Sequence, residues 1–169
     1  MRIEQFEDLK MKIGLGVIIL FSFYMNISEA QELKSNATFF TIRFTPHQDL
    51  KKELMAFAEK NKIKAGFIAT CVGSLEQVNL RYANQPSGTL LKGHFEILSL
   101  GGTLSSTSAH LHLSVADSTG KTIGGHLLDD NMIYTTAEIV IVELLDVEFA
   151  READSTYGFK ELTIRARKK

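Results

Sequence analysis

The 169-residue chain contains one cysteine, two prolines and a formal net charge of only −1 at pH 7. A single thiol has no partner within the chain, so the fold cannot depend on an intramolecular disulfide. Cys71 lies in the apolar run Phe67–Val72 and is predicted to be a small core residue rather than a nucleophile. The nearly balanced charge gives no general electrostatic attraction for nucleic acid. Walker, GxSxG and GxGxxG motifs are absent.

Long apolar runs are also scarce, and the run near the beginning of the chain, Ile13–Met25, is only thirteen residues long. It is too short to be a comfortable transmembrane helix. Two lysines precede it and the small-x-small sequence Ser28–Ala30 follows it, which is typical of a secretory signal peptide. The sequence therefore predicts a signal peptide at residues 1–30 and a mature chain that begins at Gln31, with no membrane span left after cleavage.

The predicted leader sets the expected location of the protein. Both Met1 and Met11 are candidate starts, because the acidic residues between them are unusual in a signal peptide. Removal of residues 1–30 leaves sixteen basic and sixteen acidic residues. We expect a secreted or periplasmic protein, or a cytoplasmic one if the leader is not a signal peptide.

The rest of the chain divides into a polar leader at 31–36, a single domain at 37–165 and a basic tail at 166–169. One helix is predicted, with Thr45 as its N-cap and Gln48 completing a capping box. Alternating apolar segments dominate elsewhere and predict strands. The expected fold class is α+β, a mostly antiparallel sheet with one main helix packed on it. The predicted strands are Ala37–Phe44, Lys64–Val72, Val78–Tyr82, Leu90–Leu100, Ala109–Ala116, Thr122–Leu128, the long stretch Tyr134–Phe149, and Glu161–Ile164.

Two histidines occupy alternate positions of one predicted strand. His110 and His112 share a face, because successive side chains of a strand point to opposite sides, whereas Leu111 and Leu113 share the other face. An Asp-Ser-Thr-Gly turn follows. The strand Thr122–Leu128 is therefore expected to fold back as a hairpin partner.

The returning strand carries a third histidine, His126, directly after Gly124 and Gly125. Three histidines on paired strands predict a metal site at His110, His112 and His126 with an open fourth position, as in reactive zinc sites. Imidazole sites also accept copper, nickel and iron. The alternative is that the histidines decorate a polar sheet face. The two glycines either allow close approach of a ligand or a neighbouring backbone, or form a β-bulge.

Three other polar residues are weaker candidates for a site. Glu96 and Glu138 each lie in a predicted strand, where they are either general bases beside the metal or ordinary exposed or edge glutamates. Arg81, at a strand end, either binds an anion or caps a loop. No acid or base partner of the histidines is evident from the sequence, so whether the protein is an enzyme stays open.

Long motifs in this sequence resemble those of the plant and prokaryote conserved (PPC) domain family, also called the domain of unknown function 296. The similarity runs from about Phe39 to Ile164 and covers nearly the whole mature chain. The motifs that carry it are Gly93–Leu104 (GHFEILSLGGTL), His110–Asp117 (HLHLSVAD), Ile123–Leu127 (IGGHL) and Thr136–Ile141 (TAEIVI).

The resemblance implies an α+β domain with an antiparallel sheet, assembled as a homotrimer. It also implies that members of the prokaryotic type hold a metal, usually zinc, through the histidines that match His110, His112 and His126. Plant members accompany AT-hook motifs in nuclear DNA-binding proteins. This sequence has no Arg-Gly-Arg-Pro hook and no basic surplus, so nucleic acid is not an expected partner. We expect an exported metal-binding homotrimer with a small ligand, and keep two alternatives: a zinc-dependent hydrolase or lyase, and a DNA-associated module.

Overall fold

A computed structural model describes residues 32–155 and 158–168; the predicted signal peptide lies outside these residues. They form one 11-residue helix and eight strands, so the sheet dominates and the helix is a minor element. In chain order the elements are β1 (Ala37–Phe44), α1 (Leu50–Lys60), β2 (Gly66–Arg81), β3 (Thr89–Leu104), β4 (Ala109–Asp117), β5 (Thr122–Leu127), β6 (Met132–Leu144), β7 (Val147–Ala153) and β8 (Lys160–Ala166).

Six strands form one antiparallel sheet in the order β1-β6-β2-β3-β4-β5. The end of β2 also pairs with β5, through Leu80 with Leu127 and Arg81 with His126. Strands β2, β3, β4 and β5 are therefore hydrogen-bonded into a closed ring. This closure brings the end of β2 beside the hairpin that carries the histidines.

The strands β7 and β8 form a separate antiparallel hairpin. The backbone N–H of Phe149 on β7 donates to the carbonyl of Lys64, which ties the hairpin to the segment before β2. β8 runs through Ala166, and the backbone N–H of Arg167 donates to the carbonyl of Asp146. The first two residues of the predicted basic tail are thus bonded to the domain.

The helix begins later than the sequence pattern predicts. Its N-cap is Asp49, whose Oδ1 accepts the backbone N–H groups of Lys51 and Lys52. Gln48 does accept a hydrogen bond from the backbone N–H of Thr45, but this contact closes a turn before the helix. His47 has a φ of 66°, which interrupts helical geometry between the two residues. The prediction of Thr45 as N-cap was wrong.

The core lies between α1 and one face of the large sheet, and strand alternation determines which side chains enter it. Leu50, Leu54 and Ala58 of the helix are fully buried, at the helical spacing of an apolar stripe. Cys71 is buried in the same cluster, as predicted. Asn131 is a fully buried polar residue, and its amide is satisfied by three hydrogen bonds to the backbone of Asn79 and Leu128.

Two strand boundaries differ from the prediction. The predicted strands Lys64–Val72 and Val78–Tyr82 form one continuous strand, β2, because Gly73 between them has a φ of 143° and its missing Cβ leaves room for the Thr136 carbonyl. The long predicted stretch Tyr134–Phe149 is instead divided after Leu144 into β6 and β7. Within the described part of the chain, no helix is long and apolar enough to cross a membrane.

Candidate metal centre

The three histidines lie on the outer face of the sheet, which is turned away from the core. His110 and His112 are half-buried and exposed, whereas Leu111 and Leu113, which alternate with them, are buried. β4 pairs with β5 in a register that places His112 directly opposite His126. Strand alternation and hairpin register therefore bring the three imidazoles to one place.

The turn between β4 and β5 fixes this register. The Asp117 carboxylate accepts the backbone N–H of Thr119 at 2.8 Å, the Thr119 hydroxyl at 2.6 Å and the backbone N–H of Lys121 at 3.1 Å. These bonds stabilise the charged carboxylate and lower the pKa of Asp117 below its ordinary value, the Thr119 hydroxyl having the largest effect. A slip of one residue would turn His126 to the opposite face.

The imidazoles are close enough to share one cation. Each ring offers a nitrogen, and these three nitrogens all lie within 4.8 Å of one another. The closest pair is His112 Nε2 and His126 Nδ1, at 2.9 Å. The ring centroid of His110 lies 5.1 Å from that of His112 and 4.6 Å from that of His126.

The surroundings favour the neutral imidazole form. Burial lowers the pKa of His126 to about 4, with further contributions from His110 and the Arg81 guanidinium. The pKa of His110 is lowered too, first by burial and then by the charge of Arg151. At neutral pH these two rings are therefore uncharged, which is the protonation state that binds a metal.

Glycines in the neighbouring strands permit the close packing. A Cβ on Gly125 would lie 2.8 Å from the carbonyl oxygen of Arg81, so only glycine lets β5 approach the end of β2 this closely. A Cβ on Gly102, which has a φ of 130°, would lie 2.0 Å from the carbonyl oxygen of His110. A Cβ on Gly124 would meet the Leu113 carbonyl at 3.2 Å, which is tight but less severe.

Arg81 and Arg151 flank the histidines. Arg81 pairs with His126 in the strand register, so the structure brings this candidate to the site. Arg151, on β7, donates from Nη1 to His110 Nδ1 at 3.2 Å and from Nη2 to the Thr103 hydroxyl at 3.0 Å. Arg151 lies between the predicted strands Tyr134–Phe149 and Glu161–Ile164, and no local pattern indicates this contact.

A cavity of about 390 Å³ opens beside the histidines. The main sheet contributes Arg81, His110 and His126 to its lining, and the β7–β8 region contributes Arg151, Lys160 and Glu161 together with Phe159. Sequence reasoning missed the second group. Three of these four residues are charged, and charged residues are common on surface hairpins, so the sequence around them does not mark a site.

The two candidate general bases lie away from the histidine cluster. Glu96 is exposed on β3, where its register partners are Ser74 and Ala116. Glu138 is exposed on β6, between Arg43 and Val72. Neither carboxylate belongs to the group of described residues that could share a metal, and neither lines the cavity.

The remaining two histidines are engaged elsewhere. The ring of His94 stacks on Tyr134 with centroids 4.2 Å apart. His47 Nδ1 lies 2.8 Å from a carboxylate oxygen of Glu76. The chain has five histidines, and the fold brings only His110, His112 and His126 together.

A six-stranded antiparallel sheet with a histidine cluster on its outer face defines a domain of a known class. The chain belongs to the Plants and Prokaryotes Conserved (PCC) domain family, whose model matches residues 31–145. It is 47% identical over 125 residues to a bifunctional protein GlmU from Synechococcus sp. strain JA-3-3Ab, an alignment that covers 74% of this chain. The chain spans only 20% of the length of that relative.

Plant relatives are more distant. The AT-hook motif nuclear-localized protein 2 of Arabidopsis thaliana is 30% identical over 118 residues, which covers 58% of this chain and 34% of the plant protein. The Arg-Gly-Arg-Pro hook itself is absent from the present sequence.

Solved structures share the fold. A hypothetical protein from Salmonella enterica superimposes with a TM-score of 0.79 at 42% identity, covering 81% of this chain and 99% of that one. A metal-containing protein from Archaeoglobus fulgidus superimposes with a TM-score of 0.69 at 23% identity, covering 80% and 99% of the two chains. At that lower identity the likeness concerns the fold alone.

Proposed function

We propose that this protein is a metal-binding module that holds one divalent transition metal, zinc by preference, through His110, His112 and His126. The observation that carries the proposal is the convergence of three ring nitrogens within 4.8 Å on two paired strands. Three histidines leave a fourth position of a tetrahedral zinc open for a small ligand. The Archaeoglobus protein of the same fold, which is described as metal-containing, agrees with this assignment.

The residues present fit a metal chemically. His112 Nε2 and His126 Nδ1 face each other at 2.9 Å, so without a cation one nitrogen must carry a proton for the other to accept. A metal ion in place of that proton would satisfy both lone pairs. Tetrahedral zinc with N–Zn distances of roughly 2.0–2.1 Å needs its nitrogens about 3.3 Å apart. The His112–His126 pair is a few tenths of an ångström closer than this, and the full set of three, which spans up to 4.8 Å, would contract around the ion.

A binding module is favoured over a hydrolase or lyase. A zinc enzyme of that kind needs a base beside the metal-bound water. Glu96 and Glu138, the two carboxylates proposed for this role from the sequence, lie on other parts of the sheet, and Glu161, the one carboxylate of the cavity lining, is outside the group of described residues that could share a metal. A DNA-associated function has no support in the charge of the chain, which is −1 overall.

We also propose that the protein assembles as a homotrimer. Val72 and Leu98 lie on neighbouring strands of the outer face, and their side chains are 54% and 53% exposed. Adjacent large apolar side chains left in water are typical of an interface with another chain. The exposed apolar pair supports an interface, and the family resemblance implies that the assembly contains three copies of this chain.

Export is the remaining part of the proposal. The uncharged run Ile13–Met25 between lysines and a small-x-small site supports a signal peptide cleaved after Ala30. Mass spectrometry of the protein recovered from its native compartment checks this directly. An N-terminus at Gln31 in a secreted or periplasmic fraction is the expected result, and an intact leader in the cytoplasm would contradict it.

Elemental analysis tests the metal site. Residues 31–169 are purified without a histidine tag, dialysed, and measured by inductively coupled plasma mass spectrometry before and after incubation with zinc. We expect about one zinc or similar metal per chain. Absence of metal in both samples would overturn the proposal and leave the histidines as polar residues of the sheet face.

A further inference from the structure

We propose that the cavity between the main sheet and the β7–β8 region binds a small organic oxyanion, a carboxylate or a phosphate ester, through Arg81 and Arg151. The inference extends the metal site proposed above, because the cavity opens onto His110 and His126. It identifies the class of small ligand that the site takes. The arginines alone would hold the anion, so the test separates this inference from the metal proposal.

The first support is the charge of the lining. Arg81, Arg151 and Lys160 contribute three cations, and Glu161 contributes the single carboxylate. Arg81 and Arg151 are half-buried whereas Lys160 is exposed, and the two partly dehydrated guanidinium groups favour a counter-charge that offsets their lost hydration. An anion in the cavity supplies that counter-charge.

The second support is the unused pairing capacity of the two arginines. Among the described residues, neither Arg81 nor Arg151 has a carboxylate oxygen within ion-pair distance. By contrast, Arg165 pairs with Glu152 and Arg167 with Glu143. The planar guanidinium matches carboxylate and phosphate oxygens with two parallel hydrogen bonds, so the cavity arginines have the chemistry for such a ligand.

The third support is the partner that Arg151 has at present. Its Nη1 donates to the uncharged acceptor His110 Nδ1, at 3.2 Å. The bond from Arg151 to a neutral imidazole involves a single charge, whereas a carboxylate or phosphate oxygen would pair the guanidinium with a full opposite charge. An oxyanion would therefore draw Arg151 from the imidazole and leave that nitrogen free.

Size and polarity define the rest of the ligand. A volume of about 390 Å³ is at the small end of ligand pockets, which range from about 300 to 1,000 Å³, and it exceeds what a bare phosphate fills. Phe159 lines the cavity and is 68% exposed, so it offers an apolar surface to a ligand. A ligand with an anionic end and a small apolar part fits both features.

Calorimetric titration of the mature chain with phenyl phosphate and with benzoate tests the inference, and benzamide serves as the uncharged control. Each titration uses chelator-treated and zinc-loaded protein at constant ionic strength. We expect saturable binding of at least one anion and none of benzamide. The tighter of the two anions identifies phosphate or carboxylate as the preferred group. Equal binding of benzamide, or no binding of either anion, would overturn the inference.

Variants locate the binding. R81Q and R151Q should each weaken anion binding by about tenfold or more, the usual effect of losing a hydrogen bond to a charged group. R43Q changes the net charge equally, but Arg43 lies on β1 away from the cavity and should bind as the wild type does. E161Q removes the one negative charge of the lining and should tighten binding. Equal weakening in R43Q, or weaker binding in E161Q, would contradict the assignment.

The two proposals fail separately. If the protein takes up no metal even after incubation with zinc but still binds anions through Arg81, only the metal proposal is overturned. Metal binding without any anion affinity would overturn only the cavity inference. Because R151Q also loses a bond to Thr103, circular dichroism of each variant confirms the fold, and R81Q and E161Q decide the outcome if R151Q does not fold.

Discussion

His112 on β4 and His126 on β5 are direct register partners, and their ring nitrogens Nε2 and Nδ1 lie 2.9 Å apart. Such a pair cannot place two lone pairs against each other without a proton or a metal ion between them. Burial lowers the pKa of His126 to about 4, so at neutral pH its ring is uncharged and compatible with either a shared proton or a metal ion. The β4–β5 hairpin thus brings two ring nitrogens together, and His110 joins them from the same strand as His112.

The first prediction concerns this pair. H112A removes one ligand of the closest pair and should reduce the metal content from about one ion per chain to nearly none. The core lies on the Leu111 and Leu113 face, so the unfolding free energy of the metal-free variant should stay within about 0.5 kcal/mol of the chelator-treated wild type. Elemental analysis and urea denaturation measure the two quantities.

H94A is the matched control, because His94 also lies on the outer face but stacks on Tyr134 instead of joining the cluster. It should retain the full metal content. Unchanged metal in H112A, or equal loss in H94A, would show that the assignment of the ligands is wrong.

The second prediction tests the trimer. L98K places a charge among exposed apolar side chains of the outer face and should convert a trimer into monomers, because an unpaired charge in an interface is strongly disfavoured. Light scattering coupled to size-exclusion chromatography measures the mass. L33K, at a similarly exposed leucine in the leader, should remain trimeric. A monomeric wild type, or a trimeric L98K, would count against the proposed assembly.

The three-histidine cluster could be predicted from the sequence because it depends on interactions between residues that are close along the chain. The alternation at His110 and His112 and the turn chemistry of Asp117 involve neighbours along the chain, so strand geometry alone predicts that His126 returns beside them. The prediction of the strand Ala37–Phe44 was confirmed residue for residue for the same reason. Arg81 was a weaker candidate, and only the closure of β5 on β2 brings it to the histidines.

The missed residues depend on packing between distant parts of the chain. Arg151 contacts His110 across a separation of 41 residues, and no periodic pattern encodes that contact. Glu161 reaches the cavity only because the β7–β8 region lies beside the main sheet. The prediction that the helix starts at Thr45 was wrong for a different reason. Thr45 and Gln48 have the side chains of a capping box, but the left-handed backbone at His47 places them in a turn before the helix.

The third prediction uses the buried thiol. Burial raises the pKa of Cys71 to about 12, because the thiolate loses its hydration. At pH 8 only about one thiol in ten thousand is then ionised, so iodoacetamide should not label the native protein, whereas the urea-unfolded chain should react within minutes. Rapid labelling of the native protein would contradict the burial.

The Cys71 thiol should also make the free energy of unfolding depend on pH. The folded pKa lies above the unfolded value, near 9, so the neutral thiol's contribution to stability is complete below about pH 9 and declines as pH rises towards 12. Part of any alkaline loss of stability should therefore disappear in C71A, which has no thiol to ionise. Urea denaturation between pH 8 and 11 measures the difference.

The last prediction concerns the glycine that lets β5 close on β2. An added Cβ at Gly125 would lie 2.8 Å from the Arg81 carbonyl oxygen, which is backbone and cannot rotate away. G125A should therefore destabilise the fold by about 1–3 kcal/mol, the usual cost of overpacking, and should weaken metal binding because β5 carries His126. G101A is the control, since Gly101 faces His112 in register and its Cβ would meet nothing within 4 Å. If G125A matches G101A in both stability and metal affinity, the closure of the ring does not position the site.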